Sequence, residues 1–134
     1  GLPGWLRALL LAAAAGLIMT SWDLSMDPMM VAGGNWVWER PGAYFGIPIH
    51  NFLGWWFTTF SAVLIYQLIF PLRGLEAQSK PAGLAVMFYA AAGLSTALID
   101  LLVGIPGPGF VGAFAMLSWI LAVTLADWRQ RKAV

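Results

Sequence analysis

Asp23 and Asp27 stand four residues apart where a long apolar run gives way to SWDLSMDPMMVAGGNWVWERPGAYFGIPIHNFLGWW, residues 21–56. On a continuing helix that spacing puts both carboxyl groups on one face. Two carboxyl groups so close, partly withdrawn from water, repel each other, and one is expected to keep its proton at neutral pH. A protonated aspartate beside indole rings could protonate a carbon–carbon double bond, and the ring quadrupoles could stabilise the tertiary carbocation that results. The competing structural reading makes Asp27 an N-cap, followed by Pro28 at a first helical position and a short turn through Met30, with Asp23 a helix-end charge.

Other chemistries find less support. One histidine, His50, and a few carboxylates occur without HxxH, HxxxH or ExxH spacing, so no metal site is expected. No serine, histidine and aspartate follow one another in a hydrolase order. Gly33-Gly34 lacks the lysine and the spacing of a phosphate loop. The absence of cysteine excludes disulfides, thiolate metal sites and haem attachment.

The elements that must position these residues are membrane helices. The chain is 60% hydrophobic and 10% charged, against about 25% charged in soluble domains. A net charge of +1 gives no reason to expect a nucleic-acid partner. Four runs, at about 5–24, 52–70, 83–103 and 110–128, are long enough to cross a bilayer core of about 30 Å. The first has no small-residue cleavage site ahead of a soluble domain, so it reads as a span and not as a signal peptide. Pro41, Pro48, Pro71, Pro81, Pro106 and Pro108 fall between the spans, where helices must stop. The expected fold is an all-α integral membrane protein, residues 1–134 forming one bundle, with a structured loop at 25–51 between the first two spans.

With four spans, both termini and the middle loop share one side. That side collects Arg7, Arg73, Lys80, Arg129, Arg131 and Lys132, leaving Arg40 alone on the other. The positive-inside rule then makes both termini cytoplasmic, in the inner or plasma membrane, and puts the 25–51 loop at the outer face. Asp23, Asp27, Glu39, His50 and Asp100 come to one membrane level. Asp100, in LSTALIDLLVG, has no adjacent counter-ion and calls for a partner inside the bundle, such as Arg40 or a tryptophan N–H from the loop. The loop is too long for a plain connection; Gly33-Gly34 should break any helix there, and NWVWERPGAYFGIP suggests a small hairpin about ERPG or a re-entrant lobe. Trp55 and Trp56 suit an aromatic belt at the headgroups, whereas Trp36 and Trp38 alternate with polar groups and invite a functional role. Gly16, Gly54, Gly93 and Gly112 are expected to let helices approach closely.

The pattern D-L-x-x-D-P, W-x-W, G-x-Y-F-G-I-P and N-F-x-G-W, on which Asp23, Asp27, Trp36, Trp38, Tyr44, Asn51 and Trp55 stand, resembles the CruF-type carotenoid biosynthesis membrane proteins (carotenoid 1,2-hydratases and bisanhydrobacterioruberin hydratases). Members of that family are longer chains, and the resemblance falls on their C-terminal half. It implies an integral membrane enzyme that adds water to the terminal prenyl double bond of an acyclic carotenoid, with no redox cofactor. Asp23 and Asp27 would be the acid/base pair. Trp36, Trp38 and Tyr44 would line the end of the polyene, with Asn51 and Trp55 also binding the substrate, and Asp100 and His50 would hold second positions or place water. The lipid bilayer and a carotenoid or other polyisoprenoid are the expected partners. The alternative is a non-catalytic subunit of a larger membrane complex, such as a photosynthetic pigment–protein assembly. It would bind carotenoid or neighbouring helices through its small residues at 8–16 and 90–97.

Overall fold

The computed structural model describes residues 1–70 and 83–132. Four helices follow one another: α1 (Gly4–Ala32), α2 (Ile49–Ile69), α3 (Gly83–Leu102) and α4 (Pro106–Lys132). All four are long and apolar enough to cross a membrane. Pro71 and Pro81, placed between spans by sequence, and the cations Arg73 and Lys80 lie outside the described residues.

α1 is the axis of the bundle. It packs on α2, α3 and α4, α3 packs on α4, and among the described residues α2 touches no helix but α1. Small residues make the close approaches. A methyl group at Gly16 would meet Trp56 at 2.8 Å, one at Gly112 would meet Ser25 Cβ at 2.6 Å, and one at Gly93 would collide with Met116. Gly54 departs from the expectation for it: among the described residues open space surrounds its position, so it packs no described helix pair.

The first span is longer than its hydropathy suggested. α1 runs for 29 residues, about 43 Å at 1.5 Å per residue, and outreaches a bilayer core of about 30 Å. Pro28 starts no helix; it lies inside α1, one residue past a buried Asp27. The helix continues because the carbonyl that Pro28 cannot serve, that of Leu24, accepts the Tyr44 hydroxyl at 2.8 Å instead. Gly33 and Gly34 then end the helix, Gly34 with φ +73°. At α4 the prolines also fall inside the helix. Pro106 opens it and Pro108 occupies its first turn, where backbone N–H groups have no helical acceptor to lose. The turn in the α1–α2 loop starts from the glycine of ERPG: Gly42 pairs with Gly46 and Tyr44 with Ile47 in isolated antiparallel bridges.

The interior at this end is polar. The largest fully buried side chains include Asp23, Asp27 and Asp100 alongside Ile47, Met116 and Pro108.

Candidate functional site

α1 offers its carboxylates in two directions. At about 100° of turn per residue, Asp23 and Asp27 lie about 40° apart around the helix, and Ser25 lies about 160° from each. The first pair faces α2 and the loop. The Asn51 amide, in the first turn of α2, donates to Asp23 Oδ2 at 3.0 Å and to Asp27 Oδ2 at 2.7 Å. Trp36 Nε1 donates to Asp27 Oδ1 at 2.7 Å. Both oxygens of Asp27 therefore have N–H donors, as suits an ionised carboxylate, whereas Asp23 Oδ1 is buried and has no donor among the described residues. The i, i+4 spacing, α1's continuity through Pro28 and the placing of Asn51 at the start of α2 create this arrangement together.

Asp100 belongs to the other face. It is fully buried, and its Oδ2 accepts the Ser25 hydroxyl at 2.6 Å. Its partner is thus a serine of α1; Arg40, the cation considered for it, is exposed. Gly112 of α4 lies against Ser25, and Gly109 lies against Asp100, so two glycines let α4 close over the pair.

Tyr44 stands between the two faces. Leu24, whose carbonyl it holds, projects about 100° from both Asp23 and Ser25 around α1. Its ring meets Phe45 and Phe52 edge to face, with centroids 4.9 and 5.1 Å away. Burial pushes the phenol well above its ordinary range, and the nearby Asp100 and Asp23 add to the effect, so Tyr44 remains a neutral donor.

The remaining expected residues form a periphery. Trp38 turns its buried N–H toward Asp27 without closing a hydrogen bond. His50 is exposed and meets the Trp38 ring edge-on at 6.2 Å, touching the acid pair only through that ring. Trp55 is 39% exposed on α2, one turn beyond Asn51, and Glu39 is exposed. Trp56 packs into the notch at Gly16 and stacks on Phe60. Of the residues singled out by sequence, Asp23, Asp27, Asn51 and Trp36 form one hydrogen-bonded unit. Asp100 shares their level and not their face. Sequence gives no role to Ser25, nor to Phe45 within G-x-Y-F-G-I-P; a serine between two aspartates on a membrane helix is the signal available for the first.

The family model described as carotenoid biosynthesis protein matches residues 2–119. A stretch of 54 residues is 39% identical to the bisanhydrobacterioruberin hydratase of Haloarcula japonica. That stretch is 40% of this chain and 18% of the relative, so the likeness spans a minor part of the relative's length. No solved structure matches the chain.

Proposed function

The chain belongs to the carotenoid biosynthesis protein family, and from that premise we propose that it takes part in hydrating the terminal prenyl double bond of an acyclic carotenoid. The observation that carries this reading is the unequal treatment of two carboxyl groups joined by one amide. Asn51 ties Asp23 to Asp27, Trp36 donates to the other oxygen of Asp27, and Asp23 Oδ1 is left to carry a proton.

In this mechanism Asp23 gives its proton to the less substituted carbon of the double bond. The tertiary cation that remains faces Trp36, Trp38 and Tyr44, whose ring faces stabilise positive charge. Water attacks the cation and loses a proton to Asp27. The sum is alkene plus water to tertiary alcohol; no electrons are exchanged, and the pair ends with one proton as it began. Asn51 holds the two carboxyl groups in register, and Trp55, one turn further along α2, borders the path of the polyene. His50 fixes the Trp38 ring. Asp100 acts at one remove, through Ser25 and the flank of α1 that Tyr44 occupies. The distribution of lysine and arginine supports cytoplasmic termini and an outer-face site.

The test is expression of the complete gene in a host that accumulates acyclic carotenoids, followed by pigment analysis. A tertiary alcohol at the chain end is expected from the wild type, and its loss from Asp23→Asn and Asp27→Asn. No hydroxylated pigment from the wild type, or full activity in both variants, would end the enzymatic reading.

A second reading rests on α2, which among the described residues packs on α1 alone and presents most of its surface outward. A non-catalytic subunit that binds pigment or neighbouring helices would use such a face. Purification in mild detergent with mass spectrometry separates the readings: a stoichiometric partner with no alcohol favours the subunit.

A further inference from the structure

A cavity of about 430 Å³ opens between the end of α1, just past Asp27, the α3–α4 turn and the loop. Its walls are apolar: Pro28 and Val31 from α1, Phe45 from the loop, and Ile105, Gly107 and Pro108 from the start of α4. The volume is within the range of small-molecule sites, about 300–1,000 Å³. A second, smaller cleft is lined by Ile18, Tyr89 and Trp119.

Each wall of the larger cavity is continuous with a group described above. Pro28 follows Asp27 and projects about 140° around α1 from Asp23, between the Asp27 and Ser25 directions and nearer to the latter. Val31, at about 80°, stands above the flank where Tyr44 holds Leu24. On the opposite wall, Ile105 donates its N–H to the Asp100 carbonyl at 2.9 Å, and Gly109, one residue beyond Pro108, lies against the Asp100 side chain. The cavity therefore lies over the strip of α1 between the acid pair and the Ser25 side, with Phe45, the chain neighbour of Tyr44, on its wall.

Phe45 gives the cavity its shape. Its backbone has φ +45°, a region that costs a non-glycine residue free energy and persists where the surroundings impose it. Three contacts impose it here. The bridge from Gly42 to Gly46 and that from Tyr44 to Ile47 hold the turn on both sides. The Phe45 ring lies edge-on to Tyr44 and rests over Gly107, where a methyl group would meet Phe45 Cε1 at 2.5 Å. The ring is still 55% exposed, so packing alone does not account for a strained aromatic held at the mouth of an apolar cavity.

We infer that this cavity seats the branched, apolar end of an acyclic isoprenoid, and that Phe45, resting on Gly107, sets the size of the end group admitted. The inference rests on the proposed hydration for the identity of its occupant. An acyclic prenyl end carries two methyl groups on one carbon and no polar atom, which suits walls of proline, valine, isoleucine and phenylalanine. A cyclised end is wider and would meet the Phe45 ring.

The test uses the complete gene product in detergent, titrated with lycopene (acyclic ends) or β-carotene (cyclised ends) and followed by tryptophan fluorescence quenching. The wild type should bind lycopene more tightly than β-carotene by about tenfold or more, and Gly107→Val, which drives Phe45 into the cavity, should weaken lycopene binding by about the same factor, in line with the 10–200-fold effect of a misfitting methyl group. Phe45→Ala should gain β-carotene binding. Equal lycopene binding by wild type and Gly107→Val overturns the inference. Should Gly107→Val fail to fold, Phe45→Ala decides, and no gain for β-carotene overturns it. The two readings can fail separately. Lycopene binding that Gly107→Val abolishes, with no alcohol formed in the host, sinks the hydration and supports the cavity; alcohol formation and binding both untouched by Gly107→Val do the reverse.

Discussion

The Tyr44 hydroxyl donates to the Leu24 carbonyl at 2.8 Å, and that carbonyl is the one Pro28 leaves without its helical donor. A residue of the loop thus repairs the backbone of α1 in the turn that carries Asp23 and Asp27. The loop is fixed to the helix by the defect that proline creates, and the aromatic side chains around the acid pair take their positions from that attachment.

Tyr44→Phe should therefore lower stability by about 1–3 kcal/mol, the cost of leaving a buried acceptor unmade, read as a lower thermal midpoint in detergent. In a Pro28→Ala background residue 28 supplies its own N–H to Leu24, so the same tyrosine substitution should cost clearly less. A double-mutant cycle measures the difference. Additive losses would show that the phenol and the proline do not share this carbonyl.

The same phenol predicts a dependence on pH at the alkaline end. Its folded-state value lies above the unfolded one, about 10, so the stability that it contributes is complete below that pH and is lost as pH rises toward the folded value. Unfolding midpoints should fall above about pH 10, and Tyr44→Phe should flatten that fall.

Asn51→Ala removes the amide shared by Asp23 and Asp27. In the hydration proposed above, misplacement of the pair by about 1 Å can cost about 100-fold, so product formation should drop by that order. The loss should appear in kcat and leave KM near the wild-type value, because the amide holds the acids and not the polyene. A rise in KM with kcat unchanged would assign Asn51 to substrate binding instead.

Helix contacts make a sharper contrast between two glycines. Gly16→Ala sets a methyl group against the Trp56 ring and its backbone carbonyl, both at 2.8 Å, and should cost about 1–3 kcal/mol through overpacking. Gly54→Ala meets nothing within 4 Å and should be neutral or slightly stabilising, by about 0.5–1 kcal/mol, since alanine favours the helix. Thermal midpoints of the two variants, measured side by side, test which glycines pack α1 on α2.

Much of this was legible from spacing. Four spans follow from run length, and the Asp23–Asp27 interval places both carboxyl groups on one face, where the Asn51 amide meets them. What escaped depends on contacts between distant residues. Pro28 looks like a helix start because local rules count the hydrogen bond it loses and cannot see Tyr44 restoring it from sixteen positions away. ERPG marks a turn, and the bridges start at its Gly42, but no local rule points to Phe45, which the turn holds in a backbone conformation that its residue type disfavours. Membrane level could be read for Asp100, but its partner depends on which side of α1 meets α3, and a side is a property of packing. Gly54 shows the converse: a small residue on a membrane helix with no neighbour to admit.

Ser25 and Asp100 supply the last prediction, because here structure and catalysis make different demands. Ser25→Ala leaves a buried carboxyl group without its donor and should cost about 1–3 kcal/mol, or more if the group is ionised. Replacing both partners with apolar residues, Ser25→Ala with Asp100→Leu, removes the polar group as well as its donor, and stability should return toward the wild-type value. If Asp100 serves the bundle alone, that double variant keeps its product yield. If Asp100 acts on the site through the flank that Tyr44 occupies, the double variant folds and makes less alcohol, with Asp23 and Asp27 intact. The second outcome is the one expected here, and thermal midpoints and pigment analysis on the same preparations would distinguish it from the first.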